Sequence, residues 1–169
     1  MTQELINLRN SILQGRYADA LAIVDELDWM SKKATLRNIK SLLVRMLIHL
    51  IKNQIEQRLT NSWAASISDS VIQIQDLNLQ DNKTSYYINS DEWETMIAQA
   101  FESAIRGASV EVLDGRVSPF YLSKLVDINQ VILMAQQLLA MTDETSELPD
   151  MIDEYLTQLP GGEDWKEGR

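Results

Sequence analysis

The fold is decided by one stretch, Leu42-Leu43-Val44-Arg45-Met46-Leu47-Ile48-His49-Leu50-Ile51-Lys52, which forms the middle of the segment Lys33–Arg58. Successive side chains of a helix lie about 100° apart, and this spacing puts one apolar set on a common face: Leu36, Ile39, Leu43, Met46, Leu47 and Leu50. Further apolar residues widen the arc to roughly two-thirds of the circumference over the two middle turns. A helix that is apolar on most sides is buried, so we predict one long central helix over Lys33–Arg58.

A narrow polar stripe remains on this helix, at spacings of four, three and four residues: Arg45, His49, Lys52 and Glu56. Charge stripes at helical spacing are usually solvated, and that interpretation is favoured here, with Lys52 and Glu56 as an i,i+4 ion pair. The alternative is a small ligand or enzyme site in a groove between helices. His49 is interpreted first as a structural residue, because a histidine without a positioned partner is rarely catalytic.

The rest of the chain predicts further helices and almost no strands, so the fold class is all-α, a single bundle around the central helix. Helix caps are predicted at Ser31 or Thr35 for the central helix, and at Ser118 and Asp127 further on. Asn61 or Ser62 is predicted to cap the helix that follows the central helix, and Asp81-Asn82 is predicted to form a turn. The remaining helices are expected over 2–14, 17–28, 62–77, 91–113, 119–126, 128–140 and 150–159.

The length of 169 residues predicts one domain with a tail, namely a helical bundle over 1–142 and an acidic segment over 143–169 that contains the short helix 150–159. The tail holds nine acidic and two basic residues, and so carries most of the formal net charge of −10. The segment from Met30 to Ser62, by contrast, contains seven basic residues and one acidic residue, Glu56. The overall balance argues against nonspecific binding to nucleic acid.

Several kinds of chemistry are excluded by composition. The chain has no cysteine and one histidine, whereas a structural zinc site needs about four such ligands and a catalytic one about three. It has neither a glycine-rich phosphate loop nor a Gly-x-Ser-x-Gly elbow. We therefore predict no catalytic set, no metal and no cofactor. Charged residues interrupt the most apolar stretch, so we do not expect a membrane span. We expect a cytoplasmic protein, which agrees with the absence of cysteine.

Three groups of residues resemble a known family: His49-Leu50-Ile51-Lys52, then Arg58, then the pair Ser62-Trp63. They are similar to the signature of bacterial domain-of-unknown-function family 29, which is abundant in cyanobacteria. Gly15-Arg16-Tyr17, Asp25-Glu26-Leu27 and Ala100–Leu113 extend the resemblance to roughly residues 5–140. Many members of the family have an aromatic residue after the lysine and a proline in the connecting segment. Asn53 and Gln57-Arg58 stand in that region here, which identifies the chain as a divergent member. The resemblance implies a small cytoplasmic helical bundle and no established activity, and it directs attention to His49, Lys52, Arg58, Ser62 and Trp63.

Three functional hypotheses follow. The first is a non-enzymatic helical module that works through protein contacts, using the apolar face of the tail helix: Met151, Ile152, Tyr155 and Leu159. That helix could dock on its own core, on a second copy or on another protein. The second is a nucleic-acid contact made by Lys33, Arg37 and Lys40, which share a helix face at spacings of four and three. The third is the ligand or enzyme site around Arg45, His49, Lys52 and Glu56.

Overall fold

The computed structural model describes residues 1–80, 85–143 and 146–169, and the predicted turn at Asp81-Asn82 lies outside them. The described residues form helices joined by turns and short irregular segments, with an isolated antiparallel bridge between Leu79 and Tyr86. The all-α prediction is therefore confirmed. The helices are α1 (Gln3–Leu13), α2 (Tyr17–Glu56), α3 (Asn61–Asn78), α4 (Trp93–Ser109), α5 (Pro119–Leu125), α6 (Ile128–Ala140), α7 (Leu148–Thr157) and α8 (Gly162–Glu167), with short 3-10 helices at Val112–Gly115 and Met141–Asp143.

The central helix is confirmed, and it is longer than predicted. α2 is a single helix of 40 residues, so the predicted break after Asp28 is wrong and Ser31 and Thr35 lie inside the helix instead of capping it. Between Tyr17 and Glu56 the sequence contains no glycine or proline, the two residues that most often end a helix. α2 ends at Glu56, and the next residue, Gln57, has a φ of 53°, in the left-handed region.

The chain divides into two compact units, Met1–Asn38 and Ile39–Arg169. The first, called here the N-terminal unit, consists of α1 and the beginning of α2. The second unit has its core around the rest of α2, whose predicted apolar stripe is fully buried from Ile39 onward: Ile39, Leu43, Met46, Leu47 and Leu50. Within the second unit α4 packs against α5 and α6, and α3 packs against α7. The domain boundary predicted after residue 142 stays a prediction.

Side-chain caps fix the starts of three helices. Ser118 Oγ accepts a hydrogen bond from Tyr121 N, and Asp127 Oδ1 accepts one from Gln130 N, as predicted for these two caps. Thr60 Oγ1 accepts from Trp63 N at 3.1 Å, so Thr60 caps α3 in place of the predicted Asn61 or Ser62. A β-region residue immediately before the helix is the usual cap, and Thr60 has ψ of 158°.

The predicted tail helix 150–159 corresponds to α7, and its apolar face is covered by the second unit. Ile152, Leu156 and Leu159 are buried, and Tyr155 Oη donates to Gln137 Oε1 at 2.6 Å. α8 follows, with Trp165 Nε1 donating to Asn61 Oδ1 at 3.1 Å. Among the described residues no single helix is both long and apolar enough to cross a membrane, and only the bent pair Pro119–Leu125 with Ile128–Asp143 meets the length and composition for one.

Candidate functional site

Two cationic side chains lie over one buried indole at the start of α3. Lys52 Nζ is 4.7 Å from the centroid of the Trp63 ring, and Arg58 Cζ is 4.6 Å from it. Lys52 is only 7% exposed and its ammonium forms an ion pair with Glu111 Oε2 at 3.1 Å. Cations within about 6 Å of an aromatic face are attracted by the ring's quadrupole, and more strongly when desolvated. Together with His49, these residues form what we call the Trp63 cluster.

The turn between α2 and α3 places Arg58 in this cluster. Asn53 is fully buried, and its Nδ2 donates to Arg58 O at 3.0 Å and to Pro160 O at 2.8 Å. One amide group therefore holds the α2–α3 turn and the segment before α8 together. Gly161 approaches the same turn so closely that a Cβ atom there would lie 2.7 Å from Arg58 Cα. The backbone that carries Arg58 is thus held at two points.

Three residues of the predicted polar stripe form ion pairs with three different partners. Arg45 pairs with Asp69 at 3.1 Å, and Glu56 pairs with Arg58 at 3.0 Å. Lys52 is bound to Glu111, so the predicted ion pair between Lys52 and Glu56 is not formed. Nor is the stripe simply a solvated edge, because Lys52 is buried. Ser62, which the family resemblance also singled out, is exposed in the first turn of α3.

His49 is partly buried beside Lys52, and its Nδ1 atom is enclosed without a hydrogen-bond partner. The pKa of His49 is lowered from 6.5 to about 4, chiefly by burial and also by the nearby positive charges of Lys52 and Arg45, while the charge of Glu111 acts in the opposite direction. The imidazole is therefore neutral at physiological pH and a weak base. Within the described residues no group of three or more histidine and carboxylate side chains is placed to hold a metal ion. In this cluster two cations lie against one indole, beside a neutral histidine.

The depressed pKa of His49 predicts a loss of stability in mild acid. Above pH 6.5 the imidazole is neutral in both the folded and the unfolded chain. Between pH 6.5 and 4 only the unfolded chain binds the proton, so the free energy of unfolding falls, by at most about 3 kcal/mol. Urea unfolding at several pH values between 7.5 and 4 measures this slope.

The matched control for this prediction is His49→Gln, which removes the titrating group and should flatten the slope relative to the unmodified chain. Carboxylates remote from His49 contribute equally to both proteins and cancel in the comparison. Since His49 is the one histidine of the chain, its ring-proton NMR signal gives the folded pKa without assignment. Equal slopes in the two proteins, or a measured pKa near 6.5, would contradict the prediction.

An apolar groove in the second unit was not anticipated from the sequence. It lies between α4, α5 and α6, has a volume of about 430 Å³, and is lined by Phe101, Ile105, Phe120, Ile128 and Ile132 among others. Phe120 is 81% exposed at its mouth. A sequence signal for this groove is the pair Phe120-Tyr121, directly after Pro119. Adjacent residues of a helix point in different directions, so the seven-residue helix α5 cannot bury both aromatic side chains on one face.

The predicted basic face lies along α2, where Lys33, Arg37 and Lys40 are all exposed. Lys33 Nζ is 4.9 Å from the centroid of the Trp29 ring. Nucleic-acid binding by this face stays a prediction. A partner surface on the tail helix also stays a prediction; the structure places Ile152 and Leu159 in the core of the second unit and leaves Met151 partly exposed.

A comparison with family models supports the resemblance seen in the sequence. The model described as Domain of unknown function DUF29 matches residues 3–131. The match covers the N-terminal unit from residue 3, the Trp63 cluster and the helices α1 to α5, and it ends within α6. No curated protein and no solved structure matches the chain.

Proposed function

Because the chain belongs to the DUF29 family, whose description assigns no activity, we propose a function from the surface of the molecule: the protein acts through protein–protein contacts made by its N-terminal unit. One observation carries this proposal. In that unit only Ser11 and Ala20 are buried, whereas many large apolar side chains are exposed: Leu5, Ile6, Ile12, Leu13, Tyr17, Leu21, Val24, Trp29 and Met30.

Single exposed apolar residues are normal, but a concentration of them marks an interaction surface. The N-terminal unit has only 38 residues, and its exposed apolar side chains come from both of its helices. A unit that leaves them in water gains little from the hydrophobic effect on its own. A partner that covers them would supply the burial that the unit lacks.

Charge supports the same proposal. Residues 1–38 contain five acidic and five basic residues, whereas residues 39–169 carry the whole formal net charge of −10. A neutral surface can approach another protein without net repulsion, while net charge on the remainder opposes unspecific association. The cysteine-free sequence agrees with a function in the cytoplasm.

A catalytic function has less support. The one histidine is neutral with a pKa of about 4, and its enclosed nitrogen has no hydrogen-bond partner that would orient it. The ammonium of Lys52 is held by Glu111. A nucleophile, a base and an orienting group within hydrogen-bond reach of one another are not found in the Trp63 cluster.

The test replaces exposed apolar residues of the N-terminal unit by glutamine: Leu13→Gln, Leu21→Gln and Trp29→Gln together. These side chains are well exposed, so the free energy of unfolding should change by less than about 1 kcal/mol. Chemical cross-linking of the tagged chain in cells should show adducts that the triple variant loses. The adducts include any formed between two copies of the chain.

The matched control is Phe120→Gln, which removes an even more exposed side chain from the second unit. It should leave the adducts unchanged. If the triple variant and the control both keep the full set of adducts, the N-terminal unit is not the contact element and the proposal is wrong.

A further inference from the structure

The charges around Trp29 follow a pattern that is complementary to itself. On a helix the surface neighbours of a residue lie three and four positions away on each side. For Trp29 the preceding neighbours are Asp25 and Glu26, both acidic, and the following ones are Lys32 and Lys33, both basic. The ring at the centre is 60% exposed. We call these five residues the Trp29 patch.

We propose that the Trp29 patch binds the same patch of a second copy of this chain, with the two α2 helices antiparallel and a two-fold axis passing through Trp29. This inference rests on the proposed function, since it names the partner of one face of the N-terminal unit. Homodimers with a two-fold axis use one surface on both copies, so that surface must be complementary to itself. A helix whose charge changes sign at its contact centre meets that requirement when it is paired antiparallel.

The pairing follows from the geometry of the axis. A residue a given number of positions before Trp29 lies at the same level along the seam as the residue the same number after it in the other copy. At 100° per residue, the positions four before and three after Trp29 lie on one side of the seam, and those three before and four after lie on the other. Asp25 therefore faces the second copy's Lys32, and Glu26 faces the second copy's Lys33. Each contact occurs twice, which gives four pairs of opposite charge around two indoles. A parallel arrangement would place acid against acid and base against base, which is unfavourable.

The apolar residues on the same face fit this arrangement. Ala22, which is exposed, and Leu36, which is partly buried, lie seven positions before and after Trp29, so each Ala22 faces the exposed part of the second copy's Leu36. A repeat of seven residues is the spacing that keeps a seam between two wound helices. The small alanine leaves room for the leucine, and the two indoles can stack or meet edge to face at the axis. Tyr17 lies roughly 120° around the helix from Trp29 and remains available to another partner.

The charged groups of the patch are available for these contacts. Within residues 1–80, which the structure describes, Asp25, Glu26 and Lys32 form no ion pair, and Lys33 is engaged only over the Trp29 ring, at 4.9 Å. All four are exposed. The acidic half of the patch would repel a nucleic acid that the basic half attracts. An unrelated protein would need the inverse pattern by chance, whereas a second copy supplies it necessarily.

Sedimentation equilibrium of the full chain tests the pairing, at about 1–300 µM because a contact of a few helical turns is small among stable interfaces. The unmodified chain should dimerise, and the dimer should weaken as salt is raised. Two variants invert the charges: Asp25→Lys with Glu26→Lys, and Lys32→Glu with Lys33→Glu. Each alone places like charges opposite one another, and its dissociation constant should rise at least about 30-fold.

An equimolar mixture of the two variants is the decisive sample. One copy then presents four basic residues and the other four acidic ones, so the mixture should form a heterodimer at concentrations where each variant alone is mainly monomeric. Asp76→Lys with Glu94→Lys changes the net charge as much as the first variant, at exposed positions outside the patch, and should dimerise like the unmodified chain. Circular dichroism checks that all variants keep their helix content.

Three results would overturn the inference. They are an unmodified chain that stays monomeric over the whole range, a dimer that survives in both charge variants, and a mixture that does not pair. If the Leu13, Leu21 and Trp29 triple variant still loses its cross-linked adducts in any of these cases, the N-terminal unit binds a different protein and the proposed function stands.

Discussion

Trp63→Ala is expected to lower the free energy of unfolding by about 3–5 kcal/mol, the range for removing a buried aromatic side chain. Trp63 is 7% exposed in the first turn of α3, and the ammonium of Lys52 and the guanidinium of Arg58 both lie within 5 Å of its ring centroid. Alanine removes the packing of the ring and also leaves the buried Lys52 with Glu111 alone. The lost cation contacts add to the cost of the cavity.

Urea unfolding followed by circular dichroism measures this effect. Trp63→Phe is the first control, because it keeps an aromatic face for the cations and should cost less than half as much. Trp165→Ala is the second, since Trp165 is only partly buried and its indole donates one hydrogen bond, to Asn61. A cost for Trp63→Ala no larger than that for Trp165→Ala would show that the cluster does not hold the start of α3 in place.

Gly161→Ala is expected to destabilise the chain by about 2–5 kcal/mol, which is large for the addition of one methyl group. Gly161 has φ of +74°, where an L-residue costs about 1–2 kcal/mol. A Cβ atom there would also lie 2.7 Å from Arg58 Cα and 2.8 Å from Leu59 N. Backbone cannot move aside as a flexible side chain can, so overpacking adds about 1–3 kcal/mol more.

The matched control for Gly161 is Gly15→Ala. Gly15 has nearly the same φ, +72°, but no atom lies within 4 Å of the position its Cβ would take. It should therefore show the conformational cost alone. The difference between the two substitutions, measured by urea unfolding, is the cost of the close approach to Arg58. Equal effects at the two glycines would mean that the turn yields easily, and that Arg58 is not fixed by this contact.

The buried part of the fold was predictable because its signal is local. Ile39, Leu43 and Leu50 recur at helical spacing, and all three are fully buried. The continuity of α2 was not predictable from the same signal. Between Leu27 and Leu36 the apolar residues move from one face of the helix to another. Such a change of face occurs in sequences where a helix ends and also in sequences where it continues. Intrinsic propensity, with no glycine or proline in the interval, was the better guide.

The candidate site was predictable only in part. Spacing and family resemblance singled out Lys52 and Trp63, but the partner of Lys52 is Glu111, 59 residues away, and no local pattern identifies it. The tail helix shows the same limit. Its amphipathic spacing predicted a face that includes Ile152 and Leu159, which are buried, but missed the buried Leu156. That spacing does not identify α3 as the helix that packs against it. A pattern identifies which face needs a neighbour, and tertiary structure decides which neighbour it is.

The length of α2 has a consequence for how its backbone opens. From Asp28 to Ala34 every side chain is exposed, so only the hydrogen bonds of the helix itself hold these residues. From Ile39 to Glu56 the helix is held by the core of the second unit. Local unfolding needs less free energy where few side chains are buried, so amide hydrogens around Trp29 would exchange with solvent far sooner than those around Leu47. α2 is one helix in geometry and two segments in local stability, and a partner bound at Trp29 would slow exchange in the weaker one.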